Sequence, residues 1–159
     1  MHLFKKISYI FCLTWLLLAS VGAAKADPSA NLAMKDLAGK THHLADYRGK
    51  WVIFNYWATW CPSCLDEMPD LVELSQKRKT DLVVLGVAVD FKGEKEVRDF
   101  VDDMLISYPV ILGTPKIFSQ FGSPPVLPTT LIFNPKGRLV QTKHGKISKE
   151  YIESLMGAP

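Results

Sequence analysis

The chain predicts an α/β domain, a mixed central sheet flanked by helices, and three observations carry that prediction. Two continuous apolar runs, Trp51 to Trp57 and Leu82 to Val89, have the makeup of strands buried on both faces. Each is followed by apolar residues at helical spacing, so the two strands should lie parallel with crossover helices between them. Near the end, Asn134-Pro135-Lys136-Gly137 turns strand Thr129 to Phe133 back into Arg138 to Lys143, an antiparallel hairpin.

Asn31 to Leu44 alternates weakly about Ala38-Gly39-Lys40 and reads as a β-hairpin with a glycine turn, a lid or edge element. After the first buried strand, Leu65, Met68, Leu71, Val72 and Ser75 predict a helix from about Pro62 to Lys79, kinked at Pro69. After the second strand, Val97, Phe100, Val101, Met104 and Leu105 mark one apolar face of a second helix. Pro109 to Leu112 is a short strand. Thr114-Pro115 has the cap-then-proline order that starts a helix through Ile117, Phe118 and Phe121. Pro124-Pro125-Val126-Leu127-Pro128 then leads into the hairpin, and Ser148 caps a last helix carrying Tyr151, Ile152, Leu155 and Met156. No repeat or internal linker interrupts the order, which describes one sheet.

The composition agrees: 159 residues, 48% hydrophobic and 22% charged, suit one ordinary globular domain and exclude disorder, collagen-like repeats and coiled coil. Net charge is +3, but Lys5, Lys6 and Lys25 all precede residue 27, leaving 16 basic and 16 acidic groups in the rest. A neutral body without a basic stripe has no electrostatic footprint for nucleic acid.

Residues 1–26 read as an export signal and 27–159 as the domain. Lys5 and Lys6 form the positive start, Ile7 to Ala19 is almost wholly apolar, and Ala24-Lys25-Ala26 is a small-x-small cleavage site before Asp27-Pro28. Cleavage is expected, leaving no membrane span. An uncleaved anchor is the alternative, because Ile7 to Ala24 is 18 residues without a charge. Cys12 lacks the small residues before it that a lipid-modified cysteine needs. Either reading places the domain in an oxidising compartment beyond the inner membrane.

The body holds two cysteines, Cys61 and Cys64. A staple this short is inefficient: loop entropy gives about 2 kcal/mol for a four-residue loop against about 4.7 for a hundred-residue one. Zinc needs two more ligands at matching spacing, and His42, His43 and His144 offer no such pattern. Redox chemistry is what fits. Cys61 falls where a buried strand ends and a helix begins, with Pro62 at the first helical position, so unpaired N–H groups and the helix dipole favour its thiolate. Cys64, one turn on and more buried, can attack a mixed disulfide.

The segment Trp57-Ala58-Thr59-Trp60-Cys61-Pro62-Ser63-Cys64-Leu65-Asp66-Glu67-Met68-Pro69 resembles the active site of the TlpA/ResA-like thioredoxin-fold thiol-disulfide oxidoreductases, exported bacterial relatives of thioredoxin. The likeness extends to Gly49-Lys50-Trp51 and to Leu127-Pro128-Thr129-Thr130, covering nearly all of residues 31 to 157. It implies a thioredoxin fold with an added N-terminal hairpin, here Asn31 to Leu44, and an inserted helix, here Glu94 to Leu105. It also implies that Pro128 is a cis-proline facing the cysteines, that Leu127 offers its backbone to substrate, and that Trp60 is an exposed indole beside them. Pro62 and Ser63, between the cysteines, tune the potential and so bear on the redox direction. Trp57 reads as core. Asn55 stands where cytosolic thioredoxins carry a buried Asp in this strand, a departure that is common in the resembling family and that argues against simple carboxylate-assisted proton transfer from this position. Glu67 matches the family's helix acid, while its position equally suits an exposed carboxylate favoured by the dipole. Glu94 is the nearest candidate for an acid at the start of the inserted helix.

The expected function is a periplasmic protein disulfide reductase: Cys61 attacks a client disulfide and Cys64 resolves the mixed disulfide. By resemblance the oxidised domain is recharged by a membrane thiol-disulfide carrier, with apocytochrome c cysteines or copper-site proteins as frequent clients. No cofactor or metal is expected. Two alternatives stay open, a Cu(I)-binding module on the two thiolates and a disulfide oxidase. A peroxidase is disfavoured, since no Pro-x-x-x-Thr-x-x-Cys pattern surrounds Thr59.

Overall fold

A computed structural model describes residues 31–157, so the signal segment expected over residues 1–26 lies outside the described residues. Their strands form two sheets. A small hairpin pairs β1 (Met34–Lys35) with β2 (Thr41–His42), and a five-stranded sheet holds β3 (Trp51–Trp57), β4 (Leu82–Ala88), β5 (Val110–Leu112), β6 (Thr129–Phe133) and β7 (Leu139–His144) in the order β5-β4-β3-β6-β7. β3, β4 and β5 run parallel, while β6 and β7 are antiparallel to their neighbours. This is the mixed sheet that the strand–helix alternation and the terminal hairpin predict.

β3 lies at the centre, and both its faces are covered. Ile53 and Trp57 pack with Leu71, Leu74, Val97 and Ile152 on one side; Val52, Phe54 and Tyr56 pack with Met34, Leu44 and Ile117 on the other. That is why its sequence reads as an uninterrupted apolar run rather than an alternation. The N-terminal hairpin is an edge element: Leu37 N–H donates to Val110 O at 2.8 Å, and Asp36 bridges Ile111, so it shields the free side of β5. His42 is buried in that hairpin, bonded to Asp36 Oδ2 at 2.7 Å and to the Tyr47 hydroxyl.

The helices follow the predicted order with two corrections. The first is two pieces, α1 (Pro62–Leu65) and α2 (Met68–Lys77), and the break falls at Asp66 and Glu67 rather than at Pro69 itself. A proline ring clashes with the carbonyl four residues earlier, here that of Leu65, so the helix yields ahead of Pro69 and restarts with the proline in its first turn, where no N–H is needed. The second correction concerns α3 (Glu94–Asp103). Met104 and Leu105 lie beyond its end; Leu105 takes a left-handed φ of 53° and is 80% exposed instead of buried on the apolar face.

The remaining helices, α4 (Pro115–Phe121) and α5 (Lys149–Met156), start as their caps dictate. Thr114 Oγ1 accepts from Ile117 N–H and Ser148 Oγ from Tyr151 N–H, each at 3.3 Å.

Candidate active site

β3, the central strand, ends at Trp57 and leads within four residues to Cys61, and Pro62 opens α1 immediately afterwards. Cys61 and Cys64 are joined as a disulfide with their Cα atoms 5.3 Å apart. Cys61 is the N-cap residue: the Cys64 N–H donates to its Sγ at 3.3 Å. Because α1 is a single turn, stabilisation of a Cys61 thiolate rests on this directed N–H more than on the dipole of a long helix. Cys61 retains 4% of its surface and Cys64 none, so Cys61 is the sulfur that a large partner reaches first.

Around Cys61 the surface is apolar. Trp60 is 58% exposed, and its indole N–H donates to Asp90 O at 3.2 Å, while Trp57 is wholly buried. Pro62 and Ser63 are exposed on one wall of an open groove of about 440 Å³; Val126 and Leu127 line the other. The Leu127–Pro128 peptide bond is cis, and Pro128 is buried at the base of β6. The structure thus gathers Trp60, Cys61, Pro62, Ser63 and Leu127 about one groove.

Glu67 is not an exposed first-turn carboxylate. It is fully buried, with Oε1 accepting from Asn55 Nδ2 at 2.7 Å and Oε2 from the Ile147 N–H at 2.8 Å. Asn55 Nδ2 also donates to Thr130 Oγ1 at 3.0 Å. Burial pushes the Glu67 carboxyl up to about 7, against the lowering pull of the Ile147 and Asn55 hydrogen bonds. The strand position that holds Asn55 in place of Asp therefore still feeds a buried carboxyl group, supplied from the helix side.

Glu94 is displaced from the role suggested for it. It sits on the surface, paired with Arg98 Nε at 2.8 Å, and its side chain is half exposed. The acid that reaches the active-site segment is Glu96: Thr59 Oγ1 donates to its Oε1 at 2.6 Å, and Lys92 N–H donates to its Oε2 at 2.9 Å. These bonds, led by that from Thr59, hold the Glu96 carboxyl below the usual range. Two acids at i and i+2 near a helix start look alike in sequence; only the contact with Thr59 separates them. The Ile147 backbone donor likewise has no signal in the sequence.

Among the described residues no group of three or more His, Cys, Asp or Glu side chains is placed to hold a metal ion, and no helix is long and apolar enough to cross a membrane. What the arrangement offers is a dithiol–disulfide pair at the rim of an apolar groove, with a buried carboxyl group that titrates near neutrality.

Comparison with known proteins agrees with this chemistry. Residues 26–142 match the model of the AhpC/TSA family. The chain is 33% identical over 137 residues to the thioredoxin-like protein YneN of Bacillus subtilis, covering 84% of this chain and 79% of that protein. It is 30% identical over 135 residues to the thiol-disulfide oxidoreductase ResA of Halalkalibacterium halodurans, covering 84% and 76%. In three dimensions it superimposes on a thiol:disulfide interchange protein of the thioredoxin family from Chlorobium tepidum with a TM-score of 0.73 at 27% identity, over 84% of this chain and 95% of that one.

Proposed function

The chain belongs to the AhpC/TSA family and is a thioredoxin-fold thiol-disulfide oxidoreductase, and from that premise we propose that it is an exported, periplasmic reductase of protein disulfides. The observation that carries the reading is the Cys61–Cys64 disulfide just past the end of β3, with Cys61 lining an apolar groove and Cys64 wholly buried. In the reduced protein the Cys61 thiolate attacks a client disulfide and one client sulfur leaves as a thiolate. Cys64 then gives up its proton and attacks Cys61 Sγ, the client departs as a dithiol, and the protein is left with its own disulfide. Two electrons pass to the client, together with the Cys64 proton; the client sulfur that left as a thiolate takes its proton from water. A membrane-bound thiol-disulfide carrier is the partner that would return them.

Glu67 is the proton-holding group of this proposal: it lies one turn past Cys64, and a carboxyl group titrating at about 7 can exchange protons at working pH. Leu127 and Pro128 serve the client side, where an extended segment can lie against the groove wall that Val126 and Leu127 form. Export is supported by the signal-like pattern of residues 1–26, and the reducing direction by the need to keep some cysteines reduced in a compartment already rich in oxidants.

The experiment is a Cys64→Ser trap in the intact organism. Recovery of client proteins disulfide-linked to Cys61 in the periplasmic fraction supports the reading. Absence of linked protein, or tight Cu(I) binding by both thiolates without disulfide exchange, rejects it.

A further inference from the structure

The groove beside Cys61 carries a single formal charge. Its walls are Trp60, Pro62, Val126 and Leu127 with neighbouring prolines, and Asp90 is the one lining residue with an ionisable carboxylate. Asp90 is exposed and, among the described residues, enters no salt bridge; the nearby acid Glu96 is already engaged by Thr59 and the Lys92 N–H. Its backbone is left-handed, with φ of 50°, and its carbonyl accepts the Trp60 indole N–H at 3.2 Å. The carboxylate thus belongs to the residue whose backbone carbonyl holds the exposed indole next to Cys61.

We propose that Asp90 is a specificity-determining residue that selects client disulfides flanked by a cationic side chain and disfavours those flanked by an acidic one. The proposal rests on the disulfide-reductase reading and names its substrate class: an extended segment whose apolar residues lie on Trp60 and Val126 while a Lys or Arg beside the cystine meets Asp90. A charge at the rim of an interface acts chiefly on encounter rate and salt dependence. The reaction itself is unchanged. Client disulfide is reduced to dithiol, the Cys61 and Cys64 thiols are oxidised to disulfide, and Asp90 forms and breaks no covalent bond.

The test uses three synthetic disulfide peptides, identical except for Lys, Gln or Glu beside one cysteine, presented to the reduced wild-type protein and to Asp90→Asn. Asparagine tolerates the left-handed backbone and keeps the carbonyl that holds Trp60, so only the charge is removed. The expected wild-type order of kcat/KM is Lys, then Gln, then Glu, with a Lys-to-Glu ratio of about fivefold at low ionic strength. That ratio should approach one in about 1 M salt, where the screening length is about 3 Å, and in the variant at any salt. Equal wild-type rates, a variant that keeps the wild-type ratio, or a variant that loses all three peptides together overturns the selecting role. Wild-type protein that reduces none of the peptides refutes the reductase reading as well, an outcome distinct from the other three.

Discussion

Asn55 Nδ2 donates to Glu67 Oε1 at 2.7 Å, and both side chains are wholly removed from solvent. A carboxyl group in that setting is easier to hold neutral than ionised, which is why burial brings Glu67 up to about 7. The sign for stability follows: with the folded value above the unfolded one, the contribution is full below about 4.5 and is lost as pH rises through about 7. Raising the pH from 5 to 8 should cost wild type on the order of 3 kcal/mol more than Glu67→Gln. Denaturant unfolding of both oxidised proteins at the two pH values measures this. The rate of disulfide reduction should show an inflection near 7 that the variant lacks.

Gly86 is required by its neighbours rather than by its own backbone. A Cβ there would stand 2.8 Å from Tyr108 Cε2 and 2.9 Å from Trp57 Nε1, two buried rings with little room to move. Gly86→Ala should therefore destabilise the domain by about 1–3 kcal/mol, read as a lower denaturation midpoint with an unchanged slope. An unchanged midpoint would mean that the rings can give way.

The cysteines should differ in reactivity. Cys61 receives the Cys64 N–H on its sulfur and lines the groove, whereas Cys64 is wholly buried, so in the reduced protein Cys61 should be alkylated first near neutral pH. Peptide mapping after partial alkylation reads the order. Modification of Cys64 first would exchange the two assigned roles.

The acids of α3 should separate in the same way. Glu96→Ala releases Thr59, two residues from Cys61, and should slow reduction several-fold; Glu94→Ala breaks only an exposed pair with Arg98 and should leave kcat/KM near wild type. Steady-state kinetics on one peptide disulfide compares them directly.

Most of the frame was legible because its signals are local. The apolar run of β3, Pro62 at a helix start, the caps Thr114 and Ser148 and the turn at Asn134 each act within a few residues. Cys61 and Cys64 were legible for the same reason: spacing and a strand-to-helix junction lie side by side in the chain. What escaped depends on distant partners. The burial of Glu67 needs Asn55 and Ile147, 12 and 80 residues away, and the choice of Glu96 over Glu94 needs Thr59. Leu105 fails the helical pattern because the chain turns left-handed just where the apolar spacing would continue, and hydrophobic periodicity does not report that turn.

Whether Cys61 and Cys64 donate reducing equivalents is read from their reduction potential in equilibrium with a thiol–disulfide buffer. A dithiol that donates reducing equivalents to protein disulfides should equilibrate near the value of thioredoxin, about −270 mV. A value near that of a strong oxidant, about −120 mV, with rapid oxidation of reduced unfolded protein, would contradict the donor role.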